Sequence, residues 1–407
     1  MKPKAPLPCM LRLAGAAVLI LSLTACSILV REPVDTREKA LQRLRPSRQP
    51  DFVDARRYRG LEESIQHSLV FLQGLPENQR FYFGKDQYDT AHMIRGLSLF
   101  LSKIRTNPSA AELNRFIADH YIIYQSAGAD RQRNVLFTGY YEPLIAGCRE
   151  KTPHCTLPVY ARPTDLITID LSLFAERFKG ERITGRYTGR AVVPYYTRQE
   201  IDASAVMKER APVLAWVADP VALFFLQVQG SGKIQFDDGR SINVHYHATN
   251  GHPYRSIGRL LIAENKISRA DMSMQAIRRY LADNPEERNR ILHYNPRYVF
   301  FKREDAGPLG CLQVPLTPMR SIALDRRLFP AAALAYIETR RPEVDDARHI
   351  VNWPSFSTFV LNQDTGGAIK GPGRADLFWG SGPYAETAAG HMQHDGRLYF
   401  LVKKPPP

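Results

Sequence analysis

Val135-Leu136-Phe137-Thr138-Gly139-Tyr140-Tyr141 is a run of apolar, aromatic and β-branched residues that interrupts a helical stretch of the chain. Before it, in residues 56–128, apolar residues recur at three- and four-residue steps, which predicts helices. After it, short apolar runs alternate with turn-forming residues, which is typical of strands joined by turns. The other predicted β runs are 157–160, 213–217, 222–228, 234–236, 298–301, 314–316, 321–324, 358–361 and 398–402.

A second helical block separates the β runs into two groups. Residues 256–263 and about 269–292 have helical periodicity, and Ser268 with Asp271 resembles a capping box. Asp237-Asp238-Gly239 predicts a hairpin turn. The sequence therefore predicts a mainly β protein with flanking helices and two β units, each a closed barrel or a sandwich.

The composition excludes several classes of protein. Of the 407 residues, 44% are hydrophobic and 24% are charged, which is close to the globular norm. A disordered chain, a coiled coil, a collagen and a polytopic membrane protein are all inconsistent with these values.

The first thirty residues predict export. Lys2, Lys4 and Arg12 precede an uncharged stretch over residues 13–30, which contains Leu23-Thr24-Ala25-Cys26. A basic head, an apolar core and small residues before a cleavage point form a secretory signal. A single membrane-spanning helix is the alternative, because 18 uncharged residues are just long enough to cross a bilayer.

The Cys at the end of this segment resembles the lipobox of bacterial lipoproteins. The resemblance implies a signal peptide over residues 1–25, a lipidated (palmitate-bearing) Cys26 and a tether over 26–55. Ser27, which is not Asp, implies the periplasmic face of the outer membrane as the location.

Charge predicts an anionic partner for the mature chain. Removing residues 1–25 removes Lys2, Lys4 and Arg12 and lowers the net charge from +14 to +11. An exported protein meets little nucleic acid, and the sequence has no nucleic-acid motif, so envelope polyanions are the expected partners. A generally soluble basic surface would also explain the charge.

The remaining cysteines raise the question of a disulfide. Cys148 and Cys155 flank a short polar loop and could close a local bridge in an oxidising compartment, which would leave Cys311 free. His154 beside Cys155 has no second ligand pair, so we expect no metal, and no cofactor is implied.

Three Gly-rich stretches contain more polar side chains than structure alone requires. They are 137–143, 226–232 and 364–371, the last followed by 375–380. Each taken alone is a common strand, turn or bulge. No Gly-Lys-Ser/Thr occurs, and Ser231 lacks the Gly-x-Ser-x-Gly context of a nucleophile, so nucleotide binding and serine hydrolysis are not predicted.

Taken together, these stretches resemble the membrane-bound lytic murein transglycosylase A family of lipoproteins. The matching motifs run in family order over about residues 130–400, with one extra residue between Asp364 and Asp376. They are 137–141, 228–232, 250–258, 271–277, 295–301, Asp325, 364–371 and Asp376.

The resemblance implies a two-domain fold with a groove for a glycan strand. A double-psi β-barrel, also found in family 45 endoglucanases, would comprise residues 56–142 with N-terminal helices and residues 266–403. A second β-barrel-like domain over 143–265 would be inserted between them.

The resemblance also implies a reaction. The β-1,4 bond between N-acetylmuramic acid and N-acetylglucosamine would be cleaved with formation of a 1,6-anhydro ring. Asp376 would act first as acid and then as base, with Asp364 as the second carboxylate. The implied substrate-binding residues are Thr138, Tyr141, Gln229, Gly230, Ser231, Gly232 and Asp325.

Asp376 can begin as an acid only if its pKa is raised. Burial beside residues 377–379 would raise the pKa, whereas inward-pointing Lys370 or Arg374 would lower it, and the sequence leaves both outcomes open.

Two rival functions remain at this stage. An inverting glycoside hydrolase would use Asp364 and Asp376 with water. A non-catalytic peptidoglycan-binding lipoprotein would use neither. The implied partners are peptidoglycan glycan strands, the outer membrane through Cys26, and a wall-remodelling complex; no nucleic acid is expected, and the chain is expected to be a monomer.

Overall fold

The structure is a computed structural model that describes residues 34, 36–305 and 307–405. The largest sheet contains eight strands, and six of them close into a barrel in the order β5-β21-β16-β19-β15-β20-β5. The pairs β15/β19 and β20/β5 are parallel, and the other neighbours in the ring are antiparallel. The strands of this sheet are β1 (Leu41–Arg43), β4 (Tyr121–Ser126), β5 (Val135–Glu142), β15 (Ser321–Ala323), β16 (Leu334–Arg340), β19 (Ser355–Asp364), β20 (Arg374–Ser381) and β21 (Gln393–Lys403).

A second sheet has the order β14-β13-β12-β6-β11-β7. A parallel bridge between Ala161, which directly follows β7, and Phe301 of β14 joins its two edges, so this sheet is also barrel-like. Its strands are β6 (Leu144–Cys148), β7 (Leu157–Tyr160), β11 (Val213–Val217), β12 (Ser231–Gln235), β13 (Ser241–Thr249) and β14 (Val299–Glu304). The predicted mainly β fold with two β units is confirmed.

The described residues also form smaller sheets of two or three strands. β2 (Arg80–Phe83) pairs with β3 (Asp86–Asp89), and β17 (Glu343–Val344) pairs with β18 (Ile350–Asn352). A third group contains β8 (Ile167–Asp170), β9 (Arg182–Tyr187) and β10 (Val192–Pro194).

The helices occur mainly in the two predicted blocks, and several of them begin at a side-chain cap. Asp89, Ser109, Asp219, Ser256 and Ser273 each accept a backbone N–H at a helix start. The helices are α1 (Arg37–Ala40), α2 (Leu61–Gln73), α3 (Thr90–Arg105), α4 (Ala110–His120), α5 (Arg198–Ala203), α6 (Pro220–Gln229), α7 (Ile257–Ala263), α8 (Met274–Asp283), α9 (Pro285–His293) and α10 (Pro383–His391). Within the described part of the chain, no helix is both long and apolar enough to cross a bilayer.

Three local predictions differ from the structure. The predicted β run 314–316 forms only an isolated bridge between Leu309 and Pro315. Residues 222–228, predicted as a strand, lie in α6, because a helix buried on nearly all sides has no polar stripe that reveals its period. Ser268 and Asp271 do hydrogen-bond to each other, but the helix begins later, at Ser273.

The N-terminal part of the described chain belongs to the folded body. Leu41 lies in β1, which pairs with β4, and Phe52 packs between Tyr336 and Phe359. Residues 37–55, assigned to the tether by the sequence, therefore pack on the barrel instead, because they bury apolar side chains. The lipidation prediction at Cys26 lies outside the described residues.

The disulfide that the sequence left open is present in the second barrel. Cys148 and Cys155 form a disulfide that closes the polar loop after β6, and Cys311 is free.

Candidate active site

Strand register brings the two predicted acids to one face of the first barrel. Asp376 on β20 is the register partner of Thr138 on β5. Ala323 on β15 is the register partner of both Asp364 and Asp376, which lie on the strands at either side. Because register partners on neighbouring strands point to the same face of a sheet, these side chains meet at one surface.

Asp376 has one fixed oxygen and one without a partner. Its Oδ1 accepts a hydrogen bond of 2.8 Å from the Thr138 hydroxyl. Its Oδ2 has no hydrogen-bond donor among the described residues. Burial raises the pKa of Asp376 to about 6, although the Thr138 hydroxyl and the Arg374 guanidinium both lower it. Burial therefore outweighs the basic neighbour, which answers the question that the sequence left open.

Asp364 is held by three donors. Its Oδ1 accepts from the backbone N–H of Cys311 at 2.9 Å and of Thr365 at 2.8 Å, and its Oδ2 accepts from the Tyr140 hydroxyl at 2.9 Å. Burial raises the pKa of this carboxyl to about 6 against these hydrogen bonds, and the charge of Asp376 adds to the rise. The side chain is thus fixed in orientation on both oxygens.

A cavity of about 700 Å³ opens over these acids and is lined by both barrels. The first barrel and its loops contribute Tyr140, Ala323, Asp364, Asp376 and residues 365–370, among others. The second sheet and α6 contribute Gln229, Gly230, Ser231, His245 and Lys302, among others. The predicted groove residues 229–231 therefore face the predicted acids.

The end of α6 shapes this wall of the cavity. Gly230 caps the helix with φ of +81°, a left-handed conformation that favours glycine. The next residue, Ser231, begins β12, while the side-chain amide oxygen Oε1 of Gln229 accepts a hydrogen bond of 3.1 Å from the backbone N–H of Tyr141. The predicted residue Gly232 lies behind the wall, where a Cβ would be 2.5 Å from the Leu226 side chain.

Two predicted binding residues lie away from the cavity. The Tyr141 hydroxyl donates to Glu386 on α10 at 3.3 Å, because successive residues of β5 point to opposite faces. Asp325 is buried, forms an ion pair with Arg327 and accepts from the backbone N–H of Gly371 at 2.9 Å. Although burial opposes ionisation, these contacts lower the pKa of Asp325 to about 2. Asp325 thus anchors the loop that follows Asp364.

Several residues at the site were assigned no role from the sequence. Tyr140 could have been found from the period of two along β5, since it shares a face with Thr138. Buried Arg198 donates to the Gln227 side chain and to the carbonyls of Asn295 and Arg297, and it supports the second wall. His245 contacts the Leu309 carbonyl at 2.6 Å. Arg198 and His245 carry no local sequence signal, because tertiary pairing alone brings them here.

A half-buried carboxyl with a raised pKa, in a cavity lined by two barrels, is typical of the active site of an acid–base enzyme. Comparison with known proteins supports this class and narrows it. The "MltA specific insert domain" family matches residues 136–302, and the "3D domain" family matches residues 320–402. The first range contains the second sheet apart from the end of β14, and the second range contains β15 to β21 except the last residue of β21.

Membrane-bound lytic murein transglycosylase A of Escherichia coli (strain K12) is 34% identical over 285 residues, which cover 69% of each chain. A solved membrane-bound lytic murein transglycosylase from Agrobacterium tumefaciens superposes with a TM-score of 0.73 at 27% identity, covering 89% of this chain and 98% of that one. E. coli MltA with bound chitohexaose superposes with a TM-score of 0.69 at 27% identity, covering 92% and 98%. The chain belongs to the membrane-bound lytic murein transglycosylase A family.

Proposed function

We propose that this protein is a lytic transglycosylase that cleaves the β-1,4 bond between N-acetylmuramic acid and N-acetylglucosamine in peptidoglycan. The observation that carries the proposal is Asp376. It is a half-buried carboxyl with a raised pKa and one oxygen that has no partner among the described residues, and it faces a cavity lined by two barrels. Family membership and the chitohexaose bound by the E. coli relative support a glycan as the ligand.

In the proposed reaction, Asp376 acts first as the acid. It donates its proton from Oδ2 to the oxygen that leaves with N-acetylglucosamine, as the bond from that oxygen to C1 of the muramic residue breaks. The C6 hydroxyl of the same muramic residue attacks C1 and gives its proton to Asp376, which restores the acid. Because the nucleophile is tethered to the substrate, a high effective molarity replaces water activation by a second carboxylate.

Asp364 has a supporting role in this scheme. Three donors already occupy its two oxygens, so it is less suited than Asp376 to exchange a proton with the substrate. Gln229, Gly230 and Ser231 lie across the cavity, where backbone and side-chain polar groups can bind sugar hydroxyls and acetamido groups. Thr138 positions the carboxyl of Asp376 through its hydrogen bond, and Asp325 positions the loop after Asp364 through its contact with Gly371.

The test is mass spectrometry of fragments released from purified sacculi by the full chain. We expect 1,6-anhydromuramic products from the wild type and none above background from Asp376→Asn with an unchanged unfolding temperature. A reducing-end product one water heavier would indicate the inverting hydrolase, and sacculus binding without soluble fragments would indicate a binding protein. Either result would refute the proposal.

We further propose that Cys26 is lipidated and holds the enzyme at the periplasmic face of the outer membrane. The Leu23-Thr24-Ala25-Cys26 punctuation and the membrane-bound relatives support this location. Cys26→Ser should lose the acyl mass on the N-terminal peptide and move the protein from the outer-membrane fraction. Retention of both would contradict the anchor.

A further inference from the structure

The charges that line the active-site cavity are unbalanced. The acidic lining residues are Asp364 and Asp376, whereas five lining residues are Arg or Lys. Arg198 is committed to the Gln227 side chain and two backbone carbonyls, and Lys302 forms an ion pair with Glu304. The cations that remain are Arg297, Arg326 and Lys370. None of the three has an ion-pair partner within residues 34, 36–305 and 307–405.

These three cations surround the loop that follows Asp364. Lys370 lies in that loop, and Arg326 follows β15. Arg297 approaches from the other side of the cavity, between α9 and β14. A Cβ on Gly367 would be 3.1 Å from Nη1 of Arg297, so the guanidinium lies directly against the loop.

Their arrangement favours an anionic ligand. Positive charges without partners in one cavity repel each other, and an anion that enters relieves that repulsion. A carboxylate suits the two guanidinium groups, which can each donate two hydrogen bonds to it, and an ammonium group can add a third contact. The chitohexaose bound by the E. coli relative is uncharged, so the neutral sugars of a glycan do not account for these cations.

We propose that Arg297, Arg326 and Lys370 form a site for carboxylates carried by the muramic acid side chain of the substrate. This inference rests on the proposed function, because muramic acid distinguishes peptidoglycan from a neutral polymer of N-acetylglucosamine. The carboxylate has two possible sources: the lactyl group, which is free when no peptide is attached, and the peptide stem itself.

A binding measurement separates this site from catalysis. The full chain with Asp376→Asn, in detergent micelles, is titrated with four ligands: chitohexaose, a peptide-free glycan oligomer, the same oligomer with its lactyl carboxyls converted to methylamides, and the peptide-bearing oligomer. The comparison variant adds Arg326→Gln and Lys370→Gln, both exposed positions that a neutral polar side chain can occupy. Lys85→Gln, in the turn between β2 and β3, is the matched control for an exposed cation outside the cavity.

We expect the double substitution to weaken binding of carboxylated ligands about tenfold, equivalent to two modest charge-assisted contacts. Chitohexaose and the methylamide oligomer should bind unchanged, and Lys85→Gln should bind all four ligands normally. Loss on the peptide-free oligomer identifies the lactyl carboxylate as the ligand, and loss on the peptide-bearing oligomer alone identifies the stem. Equal loss on the neutral ligands, or no loss on any ligand, would overturn the proposal. Neither result depends on turnover, so the proposed reaction is tested separately by the product masses.

Discussion

Asp364 and Asp376 lie on either side of Ala323, each as its register partner on a neighbouring strand of the same barrel. Two strand spacings place their Cα atoms about 10 Å apart. Hydrogen bonding distinguishes the two acids more sharply than distance does. Asp364 accepts three hydrogen bonds, whereas Asp376 accepts one and has an oxygen without a partner in the described part of the chain.

The same substitution at the two acids should therefore have unequal effects. Asp376→Asn removes the proton donor and should lower the rate of anhydro-product release at least ~100-fold. Asp364→Asn keeps an oxygen for the N–H groups of Cys311 and Thr365 and places an NH2 opposite the Tyr140 hydroxyl, which can accept. We expect a loss below about tenfold.

Initial rates on sacculi, with product masses and unfolding temperatures for both variants, test this difference. If Asp364→Asn were as damaging as Asp376→Asn while folded normally, both carboxyls would take part in proton transfer. The two-carboxylate hydrolase would then be the better description.

Tyr140 and Tyr141 show how much of the site a local sequence pattern can predict. The family resemblance implied that Tyr141 lies in the groove, but the two-residue period of a strand puts Tyr140 on the face of Thr138 and Asp376. Asp364 and Asp376 were assigned through the family resemblance, because each Gly-rich stretch taken alone is a common strand, turn or bulge. Arg198 lies in none of the family motifs, and Arg297 lies in the motif 295–301 without an assigned role; tertiary structure brings both to the cavity.

Helix α6 shows the opposite limitation. Its Asp219 cap and Pro220 are start signals for a helix, yet the apolar residues that follow fit a buried strand equally well. Local sequence patterns also cannot predict pairing between strands that are distant in sequence, such as β5 with β20, because no short segment contains both partners. Only the family resemblance supplied that topology.

The pH dependence of activity should reveal the acid form of Asp376. Because its pKa is raised to about 6, the protonated fraction is high below that pH and falls about tenfold per pH unit above it. We expect kcat/KM on soluble glycan oligomers to decrease with rising pH on an alkaline limb near pH 6. A flat profile from pH 5 to 8 would contradict a protonated Asp376 as the starting state.

Arg374 should influence the pH of this alkaline limb in two ways: through its positive charge and through its hydrogen bond to Thr138. Its Nη2 donates to the Thr138 hydroxyl at 3.2 Å, which in turn donates to Asp376. The positive charge lowers the pKa of Asp376, so Arg374→Gln should move the alkaline limb to higher pH. Arg374→Lys, which keeps the charge, is the matched control and should shift the limb less.

Thr138→Val removes the other contact that lowers the pKa of Asp376. It should therefore also move the alkaline limb of the pH profile to higher pH. Thr138→Ser, which keeps the hydroxyl, should leave the limb in place. Unchanged profiles in both Arg374→Gln and Thr138→Val would show that neither contact sets the pKa of Asp376.

The last prediction concerns the pair that holds the N-terminal segment to the barrel. Arg320 and Asp54 are both buried and form two hydrogen bonds of 2.6 and 2.9 Å, with Arg320 also donating to the Arg59 carbonyl. Arg320→Met leaves a buried carboxylate without its partner and should lower the free energy of unfolding by ~3–5 kcal/mol at pH 7. Exposed Arg105→Met, which breaks a surface pair with Glu62, is the matched control and should cost less than ~1 kcal/mol.

The same pair predicts an acid-sensitive contribution to stability. Although burial alone would raise it, the pKa of Asp54 is lowered below 3.8 by hydrogen bonds and charge from Arg320. Its stabilising contribution is therefore full above the unfolded pKa and is lost as pH falls through the lower folded pKa. Urea unfolding at pH 7 and near pH 3 should show a smaller acid loss in the double variant Asp54→Asn/Arg320→Met than in the wild type. An equal loss in both proteins would assign the acid sensitivity to other carboxyls.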